Sequence, residues 1–412
     1  MSGLNDVTYL RRNGNVGRGA LNADGISGYV MNGGATAPSG LAFGAIAIVY
    51  TLADVEALGI TAAYDTTNNV MCHHHFQRHF FRNPRVETHI MLVAQSITLT
   101  QMADKANSYA KLLLQSGNGK IKLLGLIRNP ASGYTATILN GMDADSYNAM
   151  AKAQQLIEDE FAALRLCPCA FVEIRSLSGT ASTVYDMTTL TARNVTPVIL
   201  QDPDAAAVNA LFAGYAAVGD VVGLASKAAI SQNIGETSDA FQLQSAANGY
   251  YIKCGTSSGQ NVTIADLVTL MAKGYCFGQA VVDFDGFYLN DFPTAIPLTD
   301  DYCYGYLNRV SFKALQVVRQ RILPLVRNGK LQTTPAGLLT DAFRGYLEEV
   351  ATDELQNKLE ATGDATPESS NTYIDPTINV RTSNGAFTIQ IGFTEITLGK
   401  QITLSVGLNP TA

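Results

Sequence analysis

The chain has 412 residues, 47% of them hydrophobic, enough for two to three packed domains at about 150 residues each. Its net charge of −7 argues against a nucleic-acid binder, which needs clustered Lys and Arg to neutralise phosphates. Charged residues make up 15% of the chain, against about 25% in a typical soluble domain, which fits a surface largely buried against other subunits.

Residues 1–20 read as a short N-terminal arm, in which Val7 and Tyr9 alternate with polar neighbours ahead of a glycine-rich stretch. The N-terminus carries no apolar signal region, and no stretch approaches the roughly 20 apolar residues of a membrane span. A chain made soluble in the cytosol is expected. Residues 21–300 form the next unit. GLAFGAIAIVY, ending at Tyr50, reads as a buried strand. Helices are then predicted near 68–81, 102–115, 145–166, 183–192 and 205–217. They alternate with apolar runs at Thr88–Ala94, Ile121–Ile127, Phe171–Ile174 and Pro197–Leu200, with VVGLA from Val221 following as a further apolar run. Continuous apolar strands separated by amphipathic helices predict an α/β fold with a mainly parallel central sheet covered by helices. After residue 230 the rhythm breaks, and 231–300 reads as a possible small subdomain.

From residue 301 a second, α+β unit begins: a basic helix, a turn at Thr334-Pro335, an acidic helix and a loop, together 301–384. The terminal segment 385–412 contains two strands of strict alternation, FTIQIGF from Phe387 to Phe393 and ITLSV from Ile402 to Val406. Phe387, Ile389, Ile391, Phe393, Ile402, Leu404 and Val406 define their apolar sides. Nothing in the sequence identifies a cover for them, and a lone hairpin is not stable in water. The strands must join a larger sheet, in their own chain or a neighbour's.

Candidate chemistry centres on the five histidines, all between His73 and His89. His75 and His79 stand four apart, the spacing of a zinc-binding pair on one helix face. Phe76 follows His75, so the glutamate of an HExxH site is missing, and Cys72 lacks a clear fourth partner. The bland reading is a structural helix ended by Asn83-Pro84, its His and Arg side chains along a polar seam. The six cysteines (72, 167, 169, 254, 276, 303) read as reduced, buried thiols, and Cys167-Pro168-Cys169 is one residue short of a redox dithiol. Gly14, Gly17 and Gly19 follow no strand, and Ser116 to Lys120 is a turn rather than a phosphate loop. Asp143 with Asp145, and Asp283 with Asp285, read as caps and turn residues. No catalytic residue, cofactor or metal ligand is assigned.

The charge pattern after residue 300 is more informative. Arg309, Lys313, Arg319, Arg321, Arg327 and Lys330 are six basic residues between 302 and 330 with no acid. Seven acids (Asp341, Glu348, Glu349, Asp353, Glu354, Glu360, Asp364) face two basic residues between 341 and 364. Arg309, Lys313 and Arg319 share an arc opposite Leu307, Ala314, Val318 and Ile322, while Arg321 falls in the apolar arc and should need a partner. In the acidic helix Leu339, Phe343, Tyr346 and Val350 form the predicted core stripe. The two faces are solvated, pair with each other, or complement different neighbours.

GLNDV with its glycine-rich continuation, HFQRHFFRNPRVETHIMLVA, YLNRVSFKALQVVRQRILPLV and the closing alternating strands together resemble the tail sheath proteins of contractile phages and related injection systems, most closely the compact sheaths of Bacteroidetes-type phages. The resemblance implies a non-enzymatic structural subunit that polymerises helically around an inner tube and contracts to drive it through a target envelope. Val7 and Tyr9, with Phe387, Ile389, Ile391, Phe393, Ile402, Leu404 and Val406, would then exchange strands between subunits. The C-terminal unit would face the tube, making Arg309, Lys313, Arg319, Glu348, Glu349, Asp353 and Glu354 candidate tube contacts. Implied partners are other copies, the tail tube protein, and baseplate and tail terminator proteins, without nucleic acid or membrane insertion. The implied location is a virion tail, made in host cytoplasm, or an injection device assembled in a bacterium. An α/β nucleotide- or metal-binding enzyme forming a small closed oligomer stays open as the alternative.

Overall fold

The computed structural model describes residues 23–201, 212–243, 251–252, 263–281, 285–328, 331–395 and 401–408. Val7, Tyr9 and most of the helix predicted at 205–217 lie outside this set.

The central sheet has six strands: β1 (Ser27–Asn32), β2 (Ile46–Val49), β3 (Thr88–Val93), β4 (Leu123–Ile127), β5 (Cys169–Glu173) and β6 (Val195–Val198). They run in the order β2-β3-β1-β4-β5-β6, all parallel except β2, which is antiparallel to β3. Strands β1 and β3 to β6 are buried along their whole length. Such strands need cover on both faces. Strand alternation sorts their side chains between two cores. Tyr29, Met31, Ile90, Leu123 and Phe171 enter one, and Val30, Met91, Leu124, Ala170 and Val172 the other.

Helices α3 (Cys72–Arg82) and α7 (Val218–Lys227) cover the first face. Helices α4 (Leu99–Ala103), α5 (Tyr109–Ser116) and α6 (Ala144–Leu164) cover the second. The short helices α1 (Leu52–Ala57) and α2 (Ala62–Asn68) precede α3, each opened by a threonine cap, Thr51 and Thr61. Helix α8 (Ile264–Ala272) and an antiparallel ribbon, β7 (Gly278–Ala280) with β8 (Phe287–Leu289), lie on the β6 side, where Val198 bridges to Cys276.

Three differences from the sequence reading have physical causes. Strand β1 is the centre of the sheet, yet Ser27, Gly28 and Asn32 punctuate its apolar run and hid it. The stretch from Val221 is helical. A buried helix and a buried strand give the same unbroken apolar run. Gly219 and Gly223, four apart, let α7 lie directly on α3: a Cβ on Gly219 would stand 2.3 Å from the His75 carbonyl oxygen. The predicted helix at 102–115 is broken at Asp104, where the backbone turns extended before α5 begins.

The C-terminal unit has two helices, α9 (Gly305–Asn328) and α10 (Asp341–Leu355), and a four-stranded antiparallel sheet. Its strands are β9 (Ala365–Pro367), β10 (Tyr373–Ile374), β11 (Phe387–Glu395) and β12 (Gln401–Leu408). Helix α9 packs on both the central sheet and α10, so one core runs through the two units.

Candidate assembly interface

In a doubly wound sheet, ligands bind where the strand order reverses, outside the C-terminal ends of the strands. Here that point lies between β1 and β4, and polar side chains fill it. Asn32 donates to the Ala94 and Ile97 carbonyls, 2.8 Å each, and accepts from the Asn129 amide. Asn129 returns a bond to the Asn32 carbonyl at 2.8 Å and accepts from the Met71 amide. Glu173, wholly buried at the end of β5, accepts from the amides of Arg128 and Ala216 and from Arg175. Burial pushes its carboxyl up, while Arg175 and those amides oppose the shift. Arg128 pairs with Asp145, whose carboxylate also takes the Leu99 and Thr100 amides at the start of α4. These groups bond chiefly to one another, with the buried Arg128 Nε left without a hydrogen-bond partner among the described residues.

The histidine helix is likewise built into the fold. His79 accepts or donates to Tyr29 Oη at 2.9 Å and Thr88 Oγ1 at 3.1 Å, and burial lowers its pKa to about 3. Burial also lowers His75, which takes the Gly219 amide at 3.3 Å. His73 reaches Glu56 at 2.9 Å and His89 reaches Glu87 at 3.0 Å. The next helix turn supplies Arg82, paired with Asp220 of α7 at 2.7 Å, both side chains at most 4% exposed. Among the described residues no three His, Cys, Asp or Glu side chains converge on a metal position. Burial pushes the Cys167 and Cys169 thiols up to about 12, the reverse of a reactive dithiol. Asp143 caps α6, and Asn118 and Gly119 turn with positive φ.

The terminal strands form part of one antiparallel sheet. Strand β11 is the middle of its sheet. One edge pairs with β9 and β10, and the other with β12 in eight consecutive register pairs from Phe387↔Leu408 to Thr394↔Gln401. Phe387, Ile389, Ile391 and Phe393 are at most 2% exposed and pack with Leu347, Ala351 and Leu355 of α10. The cover that the sequence did not reveal is therefore the chain's own α10, and these four residues build its core. Ile402, Leu404 and Val406 lie opposite Phe393, Ile391 and Ile389 in register. Strand β12 has no second partner among the described residues. It is eight residues long and carries neither charge nor proline. Such an edge is a template for another strand.

The charged helices divide differently from their arcs. Arg309 is buried, donating to the carbonyls of Asp24, Ala228 and Ala229 at 3.2 Å each, and burial lowers its pKa. Lys313 holds both Asp24 carboxylate oxygens at 2.8 Å. This pair clamps the start of the α/β unit onto α9. Arg319 and Arg321 are exposed, so Arg321 faces water rather than needing a buried partner. On α10, Glu348 accepts from the Ile374 amide at 2.7 Å and approaches Arg344 at 3.8 Å, and Glu354 is half-buried, while Glu349 and Asp353 are exposed. The core stripe is Leu347, Ala351 and Leu355, one step from the predicted one, and Tyr346 is 44% exposed. With alanine and glycine interspersed, the apolar arc alone left that rotation open.

The fold thus described is that of tail sheath proteins. The sheath tail protein of Desulfitobacterium hafniense matches with a TM-score of 0.54 at 10% identity, over 98% of this chain and 100% of that one. The sheath tail protein Lin1278 of Listeria innocua gives 0.53 at 10% identity, over 93% and 95%. A chain of the anti-feeding prophage baseplate gives 0.51 at 12% identity, over 100% and 97%. The family model described as DUF2586, N-terminal domain, matches residues 4–293, and the chain belongs to that family. No curated protein matches it.

Proposed function

We propose that the chain is the structural subunit of a contractile tail sheath, polymerising helically around an inner tube and contracting to drive it through a target envelope. The observation that carries this reading is the likeness in fold to sheath tail proteins, which spans both chains nearly end to end. The filled crevice between β1 and β4 argues against a nucleotide enzyme, since the position such folds use for ligands holds Asn32 and Asn129 instead. In this reading residues 21–300 are the sheath core and 301–384 the tube-facing part. The N-terminal arm and the end of the terminal segment, strand β12, are the exchanged parts. Strand β12, with Ile402, Leu404 and Val406, is the element passed between subunits, and β11 is its acceptor, a case of strand addition. Glu349, Asp353 and Arg319 are the charged candidates still open to a tube protein. Partners are other copies, the tube, and baseplate and terminator proteins.

The test is electron microscopy of the purified chain, alone and co-expressed with the tube protein of its own system. Hollow helical tubes or sheathed tubes are expected. A small closed oligomer that stays unchanged in the presence of tube would overturn the reading.

A further inference from the structure

A groove of about 640 Å³ opens where the end of α6, the turn after α5 and helix α9 meet, with Thr388 of β11 at its far side. Phe161, Leu164, Phe312 and Leu315 give it an apolar floor, with Leu164 52% exposed and the other three half-buried. The Phe161 and Phe312 rings meet edge-on, 6.3 Å between centroids. Polar side chains, among them Gln115, Gln316 and Gln320, line the rest of the groove, and a concavity of this size falls in the range of binding sites. The described chain begins beside it. Asp24, clamped by Lys313, lies in a cleft that shares Phe312 and Gln316 with the groove. The first described residues therefore lie at the groove's rim, and residues 1–22 that precede them in sequence carry Leu4, Val7, Tyr9 and Leu10.

We infer that this groove is the resting site of the chain's own N-terminal segment, with the stretch around Val7 to Leu10 seated on Phe161, Leu164, Phe312 and Leu315. Reach is ample: at about 3.3–3.6 Å per extended residue, Tyr9 can lie up to about 45–50 Å from Ala23. Tethering at the rim also sets an effective concentration in the millimolar range, so the segment reaches the groove of its own chain ahead of a second copy's. Arg165 and Arg319 on the rim have the same sign as Arg11 and Arg12 and the opposite sign to Asp6 alone, so apolar contact rather than ion pairing is the main hold on the segment. A segment held this way is withheld from neighbouring subunits until assembly draws it out. The inference rests on the assembly reading only in treating residues 1–22 as an arm. Groove occupancy is read on the dilute monomer and assembly on the polymer, so either can fail alone.

The chain contains no tryptophan, so Tyr9→Trp in the full-length protein supplies a single reporter. At dilute, monomeric concentration its emission is expected to be blue-shifted, independent of protein concentration and undiminished by salt. Leu164→Glu, a substitution at an exposed helix end, is expected to shift it to that of a solvated indole while the circular dichroism spectrum stays unchanged. Leu315→Glu and the reporter Val7→Trp repeat the measurement should either first variant misfold. Solvated emission in the parent, a blue shift that appears only as concentration rises, or a blue shift indifferent to both groove substitutions would each overturn the inference.

Discussion

The six-stranded sheet and the four-stranded C-terminal sheet end in different ways. The large sheet closes with short or blocked edges: β2 has four residues, and β6 carries Pro197, which has no amide hydrogen to offer a further strand. The small sheet ends in β12, twice as long as β2 and free of charge and proline. The same contrast holds in the interior. Several buried charges in the α/β unit are held in pairs, such as Arg82 with Asp220, whereas the outer face of α10 leaves Glu349 and Asp353 exposed. On the proposed reading, one region stays as it is and the other offers backbone and charge to neighbouring subunits and the tube.

The largest expected effect breaks that contrast at β12. Ending the chain after Glu395 should abolish tube formation in electron micrographs while leaving a folded α/β unit by circular dichroism. Tubes of normal length from the truncated chain would refute β12 as the exchanged edge. Next in size is Arg82→Leu, which removes a charged partner of the buried Asp220 carboxylate and should lower unfolding free energy in urea by about 3–5 kcal/mol. The double change Arg82→Leu with Asp220→Leu should recover much of that loss, since it removes the buried carboxylate as well.

Acid should find the α/β unit first. His79 resists protonation until about pH 3, whereas unfolded histidine protonates near 6.5. Between those values the unfolded chain binds more protons, so this contribution is full above about pH 6.5 and falls as pH drops; His75, lowered by burial, adds to it. Asp65, which burial raises to about 7, works the other way. Its proton is kept only in the folded state, so its contribution is full below about pH 4 and fades as pH rises through 7. Asp65→Asn removes that offset and should steepen the acid loss by up to about 1.4 kcal/mol per pH unit between pH 4 and 6.5, measured by urea unfolding at several pH values. An unchanged slope would show that Asp65 titrates normally.

The smallest effect on folding sharpens the other side. Glu349→Lys with Asp353→Lys lies on an exposed face and should change monomer stability by no more than about 0.5 kcal/mol. Repeated around every ring, the same change should still reduce co-sedimentation with tube, more at low salt than at high. Equal co-sedimentation at all salt concentrations would move the tube contact elsewhere.

Continuous apolar runs such as Thr88–Val93 and Leu123–Ile127, separated by amphipathic helices, were enough to determine a parallel, doubly covered sheet, because burial on both faces leaves that mark in any strand. The alternation from Phe387 to Val406 likewise determined that two strands exist and need a partner sheet. Which residues cover which could not be read, because it depends on contacts far apart in the chain. Only the tertiary structure set α10 under β11, buried Arg309 against the backbone of residues 24, 228 and 229, and left Arg319 in water on the same helix. Helical periodicity assigns a charge to an arc, but whether that arc meets solvent or another segment is decided by packing.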